Sequence, residues 1–219
     1  MGKLKTRLIL AIFSATFLVN GNAAVLTFTD EASFLGALPG VANTLDFEGV
    51  AAGTTIADGA TVDGITFNYN FDGVQMLVSD VFLTTSGTNF LGTDDADVFQ
   101  AGDNFSLSFG PVNAIGMFFI TADEMFDDDI VLSAGGGSVG LSVADAGADL
   151  GDGGIPFFLG IIDTENTFLG ASISTLDNCG GCFLFNVDDI STAVVPLPGA
   201  LWLFISGMLG LFTVRRKTV

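Results

Sequence analysis

Short apolar segments of four to eight residues recur through the middle of the chain, and clusters of Gly, Asp and Asn separate them. The segments are rich in Phe, Val and Ile and carry no helical spacing, which is typical of antiparallel strands. A short strand at 25–28 opens the series. The pattern predicts a dozen further strands, at 44–48, 65–70, 75–78, 81–84, 97–100, 105–109, 114–121, 130–133, 140–143, 157–162, 169–175 and 182–190.

Two of these segments differ in how polar residues are placed. Residues 105–109 alternate apolar and polar side chains, as a half-solvated strand does, whereas residues 114–120 are apolar on both faces. One helix is expected, over 30–38, with Asp30 as its N-cap and Pro39-Gly40 after its end. The predicted fold is therefore all-β, a two-sheet antiparallel β-sandwich of jelly-roll-like type over residues 24–194.

The amino-terminal segment has the pattern of a secretion signal. Basic residues up to Arg7 precede a largely apolar run of 12 residues, 8–19, and small and polar residues follow up to Ala23. As a helix, the apolar run spans only about 18 Å, too short for a hydrocarbon core of about 30 Å. The sequence predicts a removable signal peptide at 1–23, cut after Ala23 or alternatively after Ala24.

The carboxy-terminal segment, 195–219, is built differently. Residues 197–214 are uncharged and form about 27 Å of helix, enough to cross a bilayer. A basic cluster follows, which is expected to stay in the cytoplasm and so to place the acidic domain across the membrane. The sequence predicts a transmembrane helix that anchors the exported domain.

A Pro-x-Pro element, one apolar helix and a terminal basic cluster resemble the PEP-CTERM sorting signal of Gram-negative, polysaccharide-producing bacteria. The matching residues are Val195, Pro196, Leu197, Pro198, Arg215 and Arg216. The resemblance implies recognition by an exosortase-type processing enzyme, cleavage near residues 196–198, and relocation to the cell surface or beyond. The chain departs from the family at Leu197, where Glu is usual. The alternative is an ordinary single-pass anchor.

Charge is segregated along the chain. All six Lys and Arg residues lie within 3–7 or 215–217, while all 25 Asp and Glu residues lie between Asp30 and Asp189. The domain therefore repels nucleic acid and anionic lipid, and its partners are expected to be cations. The absence of His from the chain, and of Lys and Arg from the domain, excludes His-assisted nucleophiles and Schiff bases.

Four acids are candidate metal ligands: Asp46, Glu48, Asp188 and Asp189. The first and last strands of a jelly roll can lie side by side, which would bring the two pairs together. Successive side chains of a strand point to opposite faces of the sheet. One of the two carboxylates at 188 and 189 therefore turns inward, toward the core, unless a bulge intervenes. An inward carboxylate needs a counter-ion, and the domain offers no cationic side chain. The hypothesis is one structural Ca²⁺ ion. The Phe-Glu element at 47–48 and the Asp-Asp element at 188–189 are also similar to those of calcium-containing carbohydrate-binding jelly rolls.

Cys179 and Cys182 are the two cysteines. A zinc site needs about four ligands and the chain has no His, so in an oxidising compartment the pair is expected to form a small disulfide loop. A redox role is the alternative.

These observations predict an exported, non-enzymatic cell-surface or extracellular-matrix protein, stabilised by calcium and anchored by its carboxy-terminal helix. The alternative is a carbohydrate-binding module that adheres to exopolysaccharide. A carboxylate-based glycoside hydrolase is a distant third, because a pair of acids at catalytic spacing arises by chance among 25 acids.

Overall fold

The computed structural model of the protein describes residues 25–176 and 183–195. Within them lie one α-helix, α1 (Glu31–Ala37), and a single 3-10 turn (Val143–Asp145). The strands of the described residues are β1 (Val25–Phe28), β2 (Asn43–Leu45), β3 (Thr55–Ile56), β4 (Thr61–Val62), β5 (Ile65–Tyr69), β6 (Met76–Ser79), β7 (Phe90–Thr93), β8 (Phe99–Gln100), β9 (Phe105–Val112), β10 (Ala114–Thr121), β11 (Ile130–Ala134), β12 (Gly137–Gly140), β13 (Ile155–Asp163), β14 (Phe168–Thr175) and β15 (Leu184–Ala193).

The strands form two antiparallel sheets. The first sheet has the order β1-β13-β10-β15-β7-β6-β3, and β2 and β8 also pair with β15. The second sheet has the order β12-β11-β14-β9-β5-β4. The main apolar core draws buried side chains from both sheets, among them Phe67 and Leu107 of the second and Phe119 and Val187 of the first. The expectation of a two-sheet antiparallel β-sandwich is confirmed.

Helix α1 covers the outer face of the first sheet, opposite the main core. It begins where Asp30 accepts a hydrogen bond from the Ser33 backbone N–H at 2.8 Å, as the sequence predicts. The Phe34 side chain is fully buried and packs against Phe158 of β13. Both faces of the central strands are therefore covered, which explains why β10 is apolar on both sides.

Most predicted strands are present with shifted ends, but two expectations are wrong. Residues 81–84 form no strand; the Leu83 N–H donates instead to the Asp152 side chain at 2.8 Å. The strand expected at 140–143 lies at Gly137–Gly140 and is followed by the 3-10 turn. The sequence reasoning also missed β7, whose Gly92 has no room for a side chain because a Cβ there would lie 1.9 Å from the Asp97 carbonyl oxygen.

Several of the predicted features lie outside the described residues: the signal peptide, Cys179, Cys182, Pro196, Leu197, Pro198, Arg215 and Arg216. No helix within 25–176 and 183–195 has the length and apolar character needed to span a bilayer.

Candidate functional site

A β-bulge in β15 determines where the two adjacent aspartates point. Phe118 pairs with Asp188 and Gly116 with Ser191, so two residues of β15 lie opposite Met117 of β10. Asp189 is the extra residue and has a φ of 52°. The bulge keeps apolar side chains in the core on both sides of it. It leaves Asp188 on the outer face of the sheet, where the side chain is nevertheless fully buried.

Asp188 is buried by the segment that joins β6 to β7. This segment, residues 80–89, has no repeating structure and crosses the outer face of β15; it is called the strap below. The Oδ2 atom of Asp188 accepts hydrogen bonds from the Thr84 hydroxyl, from the Thr85 hydroxyl at 2.9 Å and from the Ser86 N–H at 3.1 Å. The strap therefore supplies the donors that a buried carboxylate requires.

Asp189 binds the same part of the strap. The Thr85 hydroxyl, whose single proton is shared with Asp188, also lies 2.9 Å from Asp189 Oδ2, and the Ser86 hydroxyl donates to Asp189 Oδ1 at 2.7 Å. The Asp189 N–H donates to Asp188 Oδ1 at 2.8 Å. Hydroxyl and amide donors therefore surround both carboxylates. Burial raises the pKa of Asp188 to about 6, the Thr84 hydroxyl opposes this rise, and the charge of Asp189 adds to it.

Glu48 holds the other end of the strap. Its Oε1 accepts from the Thr88 N–H at 2.7 Å and from the Asn89 N–H at 2.6 Å. Both hydrogen bonds lower the pKa of Glu48, and the bond from the Asn89 N–H has the larger effect. Close approach is possible because residue 87 is glycine: a Cβ there would lie 2.2 Å from Glu48 Cδ. Three of the four predicted metal ligands therefore bind one strap.

The fourth predicted ligand is placed elsewhere. Asp46 accepts from the Glu48 N–H at 3.1 Å and, together with Asp63, lines a separate cavity of about 310 Å³. Within the described ranges, no three Asp, Glu, His or Cys side chains come close enough together to hold a metal ion. The hard oxygens of Asp188 and Asp189 suit calcium chemically, but the four carboxylates do not converge on one point. Calcium binding stays a prediction.

A cleft of about 160 Å³ lies next to this network and was not expected from the sequence. The strap forms one wall of it, and β10 and β15 form its floor. Phe82 and Leu83 line the cleft and are each about half exposed, which explains why the apolar run at 81–84 resembled a strand. Other residues that line the cleft are Ile120, Asp123, Asp152 and Asn186.

Tyr69, the one tyrosine of the chain, has an internal role. Its hydroxyl donates to the Ile56 carbonyl at 2.5 Å and accepts from the Met76 N–H at 3.1 Å. Its ring stacks on Phe71. It therefore connects β5 to β3 and β6 and is not presented as a flat surface for a sugar ring.

Comparison with protein-family profiles and with curated proteins finds no match. Among solved structures, the chain is similar to the K2 cleaved adhesin domain of Lys-gingipain, with a TM-score of 0.42 and 14% sequence identity. The similarity covers 70% of this chain and 100% of that domain. A TM-score of this size does not establish a common family or a common function.

Proposed function

We propose that the chain is an exported, non-enzymatic cell-surface or extracellular-matrix protein that an exosortase-type system processes. The observation that carries this proposal is the segregation of charge, with six cations at the two ends and 25 acids between them. Cations that flank apolar segments stay on the cytoplasmic side, so both ends favour passage of the acidic domain across the inner membrane.

The use made of the acids supports a non-enzymatic role. Many carboxylates in turns accept hydrogen bonds from backbone N–H groups, as Asp58 does from Tyr69 and Asp94 from Gln75. Asp103 and Asp129 accept from backbone N–H groups in the same way. These carboxylates shape turns, whereas a glycosidase needs two acids facing each other across a scissile bond.

We assign the sandwich to the jelly-roll-like type. Strand β2, near the start of the domain, pairs with β15, and Leu45 lies opposite Ile190. This pairing supports a closed arrangement in which an early strand and a late strand are neighbours, a property of jelly rolls. Adhesion to exopolysaccharide remains the alternative function, and retention of the protein on the producer's own polysaccharide is its direct test.

Export is tested by adding protease to intact spheroplasts of cells that produce the full chain. We expect the acidic domain to be digested while a cytoplasmic marker protein survives. Protection of the domain until the membrane is lysed would refute the proposed topology. Intact-mass measurement of the recovered protein then locates both processed ends, with the amino-terminal cut expected after Ala23 or Ala24.

Exosortase processing is tested separately at Leu197, in a host that contains such an enzyme. We expect Leu197→Glu, which restores the residue usual in the sorting signal, to increase the fraction of chains that lose the tail. Leu197→Gln is the matched control, because it introduces a polar side chain of the same size without the charge. Retention of the tail by all three chains would mean that it acts as an ordinary anchor.

A further inference from the structure

The cleft beside the strap combines an apolar wall with two carboxylates and the polar side chains of Thr121 and Asn186. Phe82, Leu83 and Ile120 provide apolar surface, and the cleft is large enough for a small organic group. The charged side chains that line it are Asp123 and Asp152.

Asn186 lines the cleft from β15, opposite Ile120 of β10. Its side chain is 97% buried, since only 3% remains exposed. Its Oδ1 atom is the one buried side-chain N or O atom within the described residues that has no hydrogen-bond partner. Leaving such an atom unpaired costs about 1–3 kcal/mol. A ligand that donates a hydrogen bond would remove this cost.

Both carboxylates are held in position by backbone groups. Asp152 accepts from the Leu83 N–H at 2.8 Å and from the Gly154 N–H at 2.9 Å, and these two bonds lower its pKa, so it carries a full charge at neutral pH. Asp123 accepts from the Leu184 N–H at 2.7 Å. Carboxylate oxygens have several lone pairs, so each can accept a further hydrogen bond from a ligand.

We propose that this cleft binds an aliphatic ammonium ion. The ammonium group donates to Asp123 and Asp152 and, after a rotation that turns the Asn186 amide oxygen toward the cleft, to Asn186 Oδ1; the alkyl stem packs on Leu83 and Ile120. An ammonium group carries donors only, which matches the two carboxylates. The domain around the cleft carries 25 acids and no Lys, Arg or His, so the surrounding potential favours a cation.

A sugar matches the cleft less well. A pyranose carries several hydroxyls, each of which needs both a donor and an acceptor, whereas the acids accept only and much of the wall is apolar. The exposed face of Phe82 also attracts a cation. The inference does not depend on the proposed export, because it concerns the chemistry of the folded domain.

The test is a titration of the full chain, in an uncharged detergent, with n-butylammonium chloride, followed by ¹H–¹⁵N NMR. The reporters are the backbone N–H groups of Leu83, Gly154 and Leu184, which donate to the two cleft carboxylates. The reference signals are the N–H groups of Glu165 and Asn166, which donate to Asp163, a carboxylate that does not line the cleft. We expect saturable shifts at the reporters and none at the reference signals.

Variants separate a specific site from general attraction by an acidic surface. Asp123→Asn removes one charge and retains an oxygen for the Leu184 N–H, and we expect it to weaken n-butylammonium binding about tenfold or more. Glu124→Gln is the matched control: it removes the same charge one residue away, at a position that does not line the cleft, and we expect less than a twofold change.

Two further ligands decide the chemistry and its source. n-Butanol has the same stem without the charge and should not shift the reporters. Binding of Nα-acetyl-lysine N-methylamide as well as n-butylammonium would identify a lysine side chain of another protein as the source, and binding of n-butylammonium alone would identify a small amine. The proposal is overturned if glucose shifts the reporters and n-butylammonium does not, if nothing binds, or if both variants weaken binding equally.

Discussion

Replacing Asp188 by asparagine should change how the stability of the domain depends on pH. The wild-type carboxyl is fully buried under the strap and lies beside a second acid, Asp189. Asparagine has nearly the same shape and can still accept from the Thr84 hydroxyl and the Ser86 N–H, but it does not titrate. The comparison therefore isolates the effect of charging this one buried group.

The size of the effect follows from the shift in pKa. Burial raises the pKa of Asp188 from 3.8 to about 6, which corresponds to about 3 kcal/mol. Because the folded pKa is higher than the unfolded one, the folded state binds the proton more tightly. The associated stability is therefore fully present below pH 3.8 and is lost as the pH rises through about 6.

The assay is urea unfolding of the full chain in an uncharged detergent, at intervals from pH 3.5 to pH 8. The free energy of unfolding of the wild type minus that of Asp188→Asn should fall by about 2.4 kcal/mol between pH 4 and pH 7, which is most of the total, and then level off. Asp30→Asn is the control. Hydrogen bonds from Ser33 lower the pKa of Asp30. The free energy of unfolding of the wild type minus that of Asp30→Asn should therefore stay flat between pH 4 and pH 7 and change only at lower pH. A flat difference for Asp188→Asn would refute the reasoning.

Three further expectations concern the strap and its carboxylates. Thr84→Val removes a hydroxyl that donates to a buried acid, and we expect a loss of about 1.5–3 kcal/mol in urea unfolding at pH 7, against less than about 0.5 kcal/mol for the exposed control Thr54→Val. Gly87→Ala should lower the free energy of unfolding by at least about 1 kcal/mol more than Gly53→Ala. Both glycines have positive φ, but only a Cβ at residue 87 would meet Glu48. Equal losses would mean that Glu48 simply moves aside. The calcium hypothesis predicts a higher melting temperature in calcium than in chelator, and identical values would refute it.

Much of the fold could be predicted because its signals are local. Alternation of side chains located β9, a run apolar on both faces located β10, and Asp30 placed the start of α1. Because Asp188 and Asp189 are adjacent, the sequence also predicts that one of them turns into the core unless a bulge intervenes, and the structure contains the bulge. These inferences need only neighbouring residues and the period of a strand.

The strap could not be predicted because its contacts are distant in sequence. Thr84 and Asp188 are separated by 104 positions, and a run of Thr, Ser and Gly resembles any polar turn. Nothing in the sequence indicates that Thr85 and Ser86 donate hydrogen bonds to Asp189 and Asp188. Residues 81–84 misled the strand prediction because their apolar side chains line a cleft and not a sheet.

The hydrogen bonds that stabilise the carboxylates determine how the stability of the domain responds to added salt. Stretches 25–176 and 183–195 contain no Lys, Arg or His, so added electrolyte has no attraction between oppositely charged side chains to weaken there. It weakens only the mutual repulsion of the acids, within a screening length of about 8 Å at physiological ionic strength. A fold whose carboxylates accept hydrogen bonds from backbone N–H and hydroxyl groups is therefore suited to high or changing salt concentrations. Proteins that depend on surface ion pairs lose part of their stability under those conditions.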